Sequence, residues 1–175
     1  MIERLETERL TLRAIRADDV DLLVGLDADP AVMRFINGGH PSSRAEVADT
    51  VRSALGHRWL GFERAGDEFV GWFGLRPSDD RVRELGYRLR RTAWGKGFAT
   101  EGASALIAAA FTRLGTERIW AQTMTANVAS RAVMQRCGLR YVRTFFGDWG
   151  DPIEGSELGD VCYELTISDW QRRPA

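Results

Sequence analysis

Cysteine is scarce in this chain: Cys137 and Cys162 are the only two. They are too few and too far apart for a disulfide framework or a metal-binding spacing. They read as small buried hydrophobes in a reducing compartment. No apolar run reaches the ~18 residues a membrane span needs. The N-terminal Met1-Ile2-Glu3-Arg4 is charged where a secretory signal would be apolar. A soluble, cytoplasmic protein with no membrane partner is expected. Basic excess is missing too, since the formal net charge is −1, which argues against a broad nucleic-acid footprint and leaves no nucleic-acid partner expected. Neither His40 nor His57 shows a pairing pattern, so structural or surface roles are expected for both and no metal is expected.

What remains is the composition of an ordinary globular chain, 44% hydrophobic and 28% charged. Its 175 residues fit a single domain, 1–175, without repeats, low-complexity tracts or a dividing linker. Leu10, Leu12 and Ala14 alternate with Thr11 and Arg13 as in a strand. Asp18 and Asp19 are suited to cap a following helix, and Ser43-Arg44-Ala45-Glu46 has the form of a capping box. Strand-like runs at 58–64, 68–76 and 83–90, joined by short turns, predict an antiparallel meander. An Ala-rich run from Ala103 to Leu114 has helical spacing and stops at Gly115. The strand Arg118–Met124 then completes a βαβ unit with parallel strands. A short helix from Val128 to Cys137-Gly138 and a closing strand pair, 141–146 and 160–167, follow. The fold class is mixed α/β (an α+β mixed sheet).

The densest chemistry lies at Trp94-Gly95-Lys96-Gly97-Phe98-Ala99-Thr100, between a strand and a helix. A glycine-rich turn there aims backbone N–H groups at the helix start, where the dipole favours a phosphate. It is neither a dinucleotide fingerprint, lacking the third glycine, nor a P-loop, lacking Gly-Lys-Ser/Thr. Asn127-Val128-Ala129-Ser130, opening the next helix, places two polar side chains at the same end of the parallel pair. Plain capping is the competing reading of Asn127.

Together the two segments resemble those of the GNAT N-acetyltransferases. Trp94 to Ala99 is similar to the family's coenzyme-A motif, Gln/Arg-x-x-Gly-x-Gly/Ala. Asn127 to Leu139 is similar to its second motif, and the order of elements agrees over nearly the whole chain. The likeness is nearest to the RimJ/RimL branch of ribosomal-protein alanine N-acetyltransferases. It implies acetyl-CoA as co-substrate, a small-molecule or peptide amine as acceptor, and direct attack of the amine on the thioester. Implied coenzyme contacts are Tyr87, Leu89, Arg91, Gly95, Lys96, Gly97, Phe98, Ala99, Thr100, Asn127 and Ser130. Family members are frequently dimers, so the resemblance allows a homodimer.

The chain departs from the pattern twice. Trp94 replaces the polar first residue of the motif, and Met134 stands where many members carry the tyrosine that reprotonates the thiolate. Ser130, Tyr141 or a water are the substitutes, with Ser130 favoured. Glu84 is the candidate base, against the alternative of a surface carboxylate paired with Arg88. The loop from Thr144 to Glu164 carries acids but no Lys or Arg. Its Asp148 and Trp149 are candidate acceptor contacts. Competing readings are an aminoglycoside or polyamine acetyltransferase and a non-catalytic acyl-CoA sensor.

Overall fold

In a computed structural model that describes residues 2–147 and 152–173, the alternating segments form one eight-stranded sheet. Its strands are β1 (Arg4–Glu6), β2 (Leu10–Ala14), β3 (Arg58–Glu63), β4 (Phe69–Asp79), β5 (Val82–Leu89), β6 (Arg118–Met124), β7 (Arg140–Phe145) and β8 (Asp160–Thr166). They lie in the order β1-β2-β3-β4-β5-β6-β8-β7. Every pairing is antiparallel except β5 with β6. The predicted meander is β3–β4–β5, and the predicted βαβ unit is β5–α4–β6, where α4 is Phe98–Arg113. β4 runs past Pro77 and Ser78, beyond the predicted strand 68–76. A register shift between Pro77 and Asp79 takes up the proline, which cannot donate to a ladder.

Five further helices are α1 (Val20–Asp27), α2 (Pro30–Asn37), α3 (Arg44–Ala54), α5 (Val128–Arg136) and α6 (Ile167–Gln171). The capping box at Ser43 and Glu46 is formed. Asp19 sits at the start of α1 but does not cap it. Its carboxylate instead accepts from Nη1 and Nη2 of Arg13 and from the Arg16 N–H.

The sheet's two faces carry two cores. On one, Leu85, Leu89, Ile119, Tyr163 and Leu165 pack with Phe98, Ala103, Leu106 and Ile107 of α4 and Met134 of α5. On the other, Leu60 and Phe69 pack with Leu23, Leu26, Val47 and Val51 of α1 and α3. Helix α4 lies so close to β4 that a Cβ on Gly102 would stand 2.5 Å from the Phe73 ring. Only glycine permits that approach. Both cysteines are buried and free. No helix among the described residues is long and apolar enough to cross a membrane.

Candidate active site

Strands β5 and β6 pair only at Val82–Arg118, Arg83–Ile119 and Glu84–Trp120. β5 continues to Leu89 still bonded to β4, while β6 continues to Met124 still bonded to β8. The sheet therefore parts into a wedge whose closed end is Glu84 and Trp120. Both following helices start at the open end, the C-terminal end of the parallel pair, where ligands of such sheets gather.

A 3₁₀ turn, Arg91–Ala93, leads from β5 into the glycine turn. Gly97 is the N-cap of α4 in the left-handed region (φ 83°), and no side chain caps the helix. The first-turn amides are therefore left for an external acceptor. Lys96, the chain's single lysine, stands in the same turn. Trp94 directs its indole N–H back to the Leu89 carbonyl, 2.8 Å away. It thus fastens the turn to β5 where the usual motif has a polar residue. These features fit the pyrophosphate of coenzyme A: open amides, a glycine without a Cβ, and one cation.

A residue not singled out from the sequence holds this turn in place. Arg9 donates through Nη1 to the Lys96 carbonyl (2.8 Å) and through Nε to Glu101 (2.7 Å), and lies over the Phe98 ring. Glu101 also accepts from Thr7 Oγ1 and from the Arg9 N–H. Burial opposes its charge, but these donors together hold its carboxyl below the usual glutamate range. Arg9 lies 87 positions from Lys96, and no local pattern announces such a pairing.

The two faces of the wedge carry different chemistry. On the α4–α5 face, the Tyr87 hydroxyl donates to the Ser130 carbonyl at 2.9 Å and lies 3.1 Å from the Ser130 Oγ. Burial pushes the Tyr87 phenol up, so it stays neutral. Asn127 caps α5 by accepting the Ser130 N–H, and its amide donates to Thr123. The capping reading of Asn127 is thus observed. Met134 is buried in the apolar core. On the α1–α3 face stand Glu84, Arg88 and, on β6, Trp120. Glu84 is paired with Arg76, its cross-strand neighbour, and not with Arg88. Arg88 pairs instead with Asp27.

Of the other predicted residues, Arg91 stays beside the open end, in the turn after β5, and the rest lie apart. Arg91 leans to Asp29 at 3.5 Å and is largely exposed. Tyr141, an alternative acid in the sequence, is on β7, the edge strand, bonded to Thr144 and two strands from the wedge. Asp148 and Trp149 fall outside the described residues. The described end of the same loop spans from β6 to α2. Gly155 approaches Ala126, Ile153 lies against Gly38, and Glu154 pairs with Arg34. Glu164 pairs with Arg118. Among the described residues no group of three His, Cys, Asp or Glu could hold a metal.

The model of the acetyltransferase (GNAT) domain matches residues 9–140. FsC-acetyl coenzyme A-N(2)-transacetylase of Aspergillus fumigatus is 37% identical over 186 aligned residues, spanning 96% of this chain and 78% of that protein. Two solved structures share the fold. Spermidine N-acetyltransferase from Vibrio cholerae, with CoA and spermine, superposes with a TM-score of 0.80 at 18% identity, covering 95% of this chain and all of that one. The ribosomal-protein alpha-N-acetyltransferase RimL, with coenzyme A, superposes with a TM-score of 0.79 at 20% identity, covering 95% and 99%.

Proposed function

The chain belongs to the GNAT acetyltransferase family, and from that premise we propose that it acetylates a compact, non-polycationic primary amine across the β5–β6 wedge. It is an acetyl-CoA-dependent N-acetyltransferase. The acceptor and the assignment of residues are our reading. The observation that carries it is the division of the wedge into two faces, with Glu84 on one and the Tyr87–Ser130 pair on the other.

In this reading the turn at Gly95, Lys96, Gly97, Phe98, Ala99 and Thr100 holds the pyrophosphate. The unpaired edge from Tyr87 to Leu89, with Arg91 and Asn127 at its open end, lines the arm that carries the acetyl group. Glu84 removes the ammonium proton on the α1–α3 face, sharing its carboxylate with Arg76, and the freed amine attacks the thioester carbonyl. Collapse of the adduct breaks the C–S bond; Ser130 gives its hydroxyl proton to the departing sulfur on the opposite face and regains one, through solvent, from the proton that the newly acylated nitrogen sheds. Placing base and acid on opposite faces keeps the incoming ammonium and the departing thiolate apart.

The carboxylates favour a compact acceptor over a polyamine or aminoglycoside. Glu84, Asp27, Glu154 and Glu164 are each already paired with an arginine. A polycation would have to displace several of them. The bridge from Ile153 and Glu154 to α2 narrows the acceptor side further. The relative named for transfer to an N(2) nitrogen supports the bond formed. The test is release of free thiol from acetyl-CoA with a panel of monoamines, amino acids, peptides and polyamines. Monoamines or amino acids should be preferred. Preference for polyamines, or coenzyme binding without thiol release from any amine, would contradict the reading.

A further inference from the structure

On the α1–α3 face the wedge is bordered by a cluster of cations whose charges do not close. Trp72 lies on β4, cross-strand from Arg88. Its indole rests over Gly86 of β5, whose built Cβ would lie 3.4 Å from the ring, and near Gly74. Gly86 is in the part of β5 that no longer pairs with β6. The indole therefore reaches the splayed edge itself. Arg58, at the start of β3, stacks on that ring with Cζ 4.1 Å from its centroid. Arg88 Cζ lies 5.5 Å from the same centroid.

Each neighbouring arginine has a carboxylate: Asp27 answers Arg88 at 2.6 Å, and Glu84 answers Arg76. Arg58 has none among the described residues, although it is half-buried. Burial and the nearby Arg88 pull it down to about 10, with only Asp27 opposing. The Arg88 Nε is buried and has no hydrogen-bond partner. Buried charges and donors are ordinarily matched, and a flat indole beneath a guanidinium leaves its donor edges free. Those edges form a planar fork that suits a carboxylate.

We infer that Arg58, stacked on Trp72 beside Arg88, forms a subsite for a carboxylate borne by the acceptor amine. The acceptor class is then an amino-acid-like amine, its ammonium toward Glu84 and its carboxylate toward Arg58. This rests on the acceptor approaching from the α1–α3 face, as proposed above. Two strand spacings, about 10 Å, separate the Arg58 and Gly86 backbones, and the long arginine side chain over Trp72 crosses that interval. The uncompensated cation also disfavours a polycationic acceptor independently of the paired acids.

The test compares L-amino acids with their α-amides, which keep the amine and lose the carboxylate, using wild type, Arg58→Gln and Arg58→Lys. Wild type should show the lower KM for the acids. Arg58→Gln should raise KM for the acids at least about tenfold, leave KM for the amides and for acetyl-CoA within about twofold, and keep the melting temperature. Arg58→Lys should recover part of the loss. Equal handling of acids and amides by wild type, or an equal loss on both in Arg58→Gln, overturns the inference. Should no amine be acetylated, the transfer reading fails by itself. Calorimetric titration of the CoA complex with an acid and its amide then decides the subsite. Binding of the acid alone, lost in Arg58→Gln, upholds it, and no difference overturns it.

Discussion

The Tyr87 hydroxyl spans from β5 to the first turn of α5 and meets both the carbonyl and the hydroxyl of Ser130. With its proton on the carbonyl, the phenol oxygen remains to accept from Ser130, which fixes the serine's rotamer. Burial keeps the phenol protonated, and its hydroxyl is committed to the Ser130 carbonyl, so in the proposed mechanism Tyr87 positions Ser130. Ser130→Ala should lower kcat by about 10²-fold, the lower end of general-acid contributions. Tyr87→Phe should lower kcat less, leave KM for acetyl-CoA near its wild-type value, and add nothing in the Ser130→Ala background. Steady-state kinetics of the double-mutant cycle check this. Full additivity would separate the two residues. Ser130 and Asn127 were legible in the sequence because capping and motif spacing are local. The partner of Ser130 was not, because the contact depends on how far β5 and α5 approach across the wedge. The partner of Glu84 is not legible in sequence for a related reason. Alternation on one strand suggests Arg88, but the register with β4 puts Arg76 opposite.

Among the elements, the proposed coenzyme turn depends on how α4 is anchored. Arg9 and Thr7, in the turn between β1 and β2, clamp Glu101 in the first turn of α4, and Arg9 reaches on to the glycine turn. Glu101→Gln should destabilise the fold by about 1–3 kcal/mol, the cost of weakening a part-buried charged network, and should raise KM for acetyl-CoA. Chemical denaturation and kinetics read the two effects. The pH dependence has a definite sign. A carboxyl whose folded pKa is depressed contributes above its unfolded value and loses that contribution as pH falls through the folded one. Wild type should therefore lose stability relative to Glu101→Gln as pH drops below about 4.3. An invariant difference would remove Glu101's charge from the account. Most elements could be read from periodicity and caps, including the capping box of α3 and the glycine stops after α4 and α5. Helix α2 was overlooked although its signals are present: Asp29 as cap, Pro30 at the first position and Gly38 in the left-handed region at its end. β1 spans only three residues, too few for any periodicity to show.

The molecule as a whole separates binding from chemistry by parting two parallel strands. In the proposed mechanism, one face is built by α4 and α5 and holds the coenzyme and the proton donor. The other is built by α1–α3 and the Ile153–Glu154 bridge, and it meets the acceptor. The fold class followed from sequence because periodicity and caps are local, and the glycine turn proposed for the coenzyme is legible because its residues are contiguous. The acceptor end did not, since Glu84, Arg76, Trp72 and Arg58 come from three strands and become neighbours only through register. In the proposed mechanism Glu84 takes the proton on the face opposite Ser130. The pH dependence of kcat/KM for wild type and Glu84→Gln tests it most directly. Arg76, left unpaired in the variant, is exposed, so the fold should be little affected. Glu84→Gln should lose about 10²-fold or more of the wild-type kcat/KM across the neutral range. A variant profile that keeps both the wild-type shape and height would contradict it.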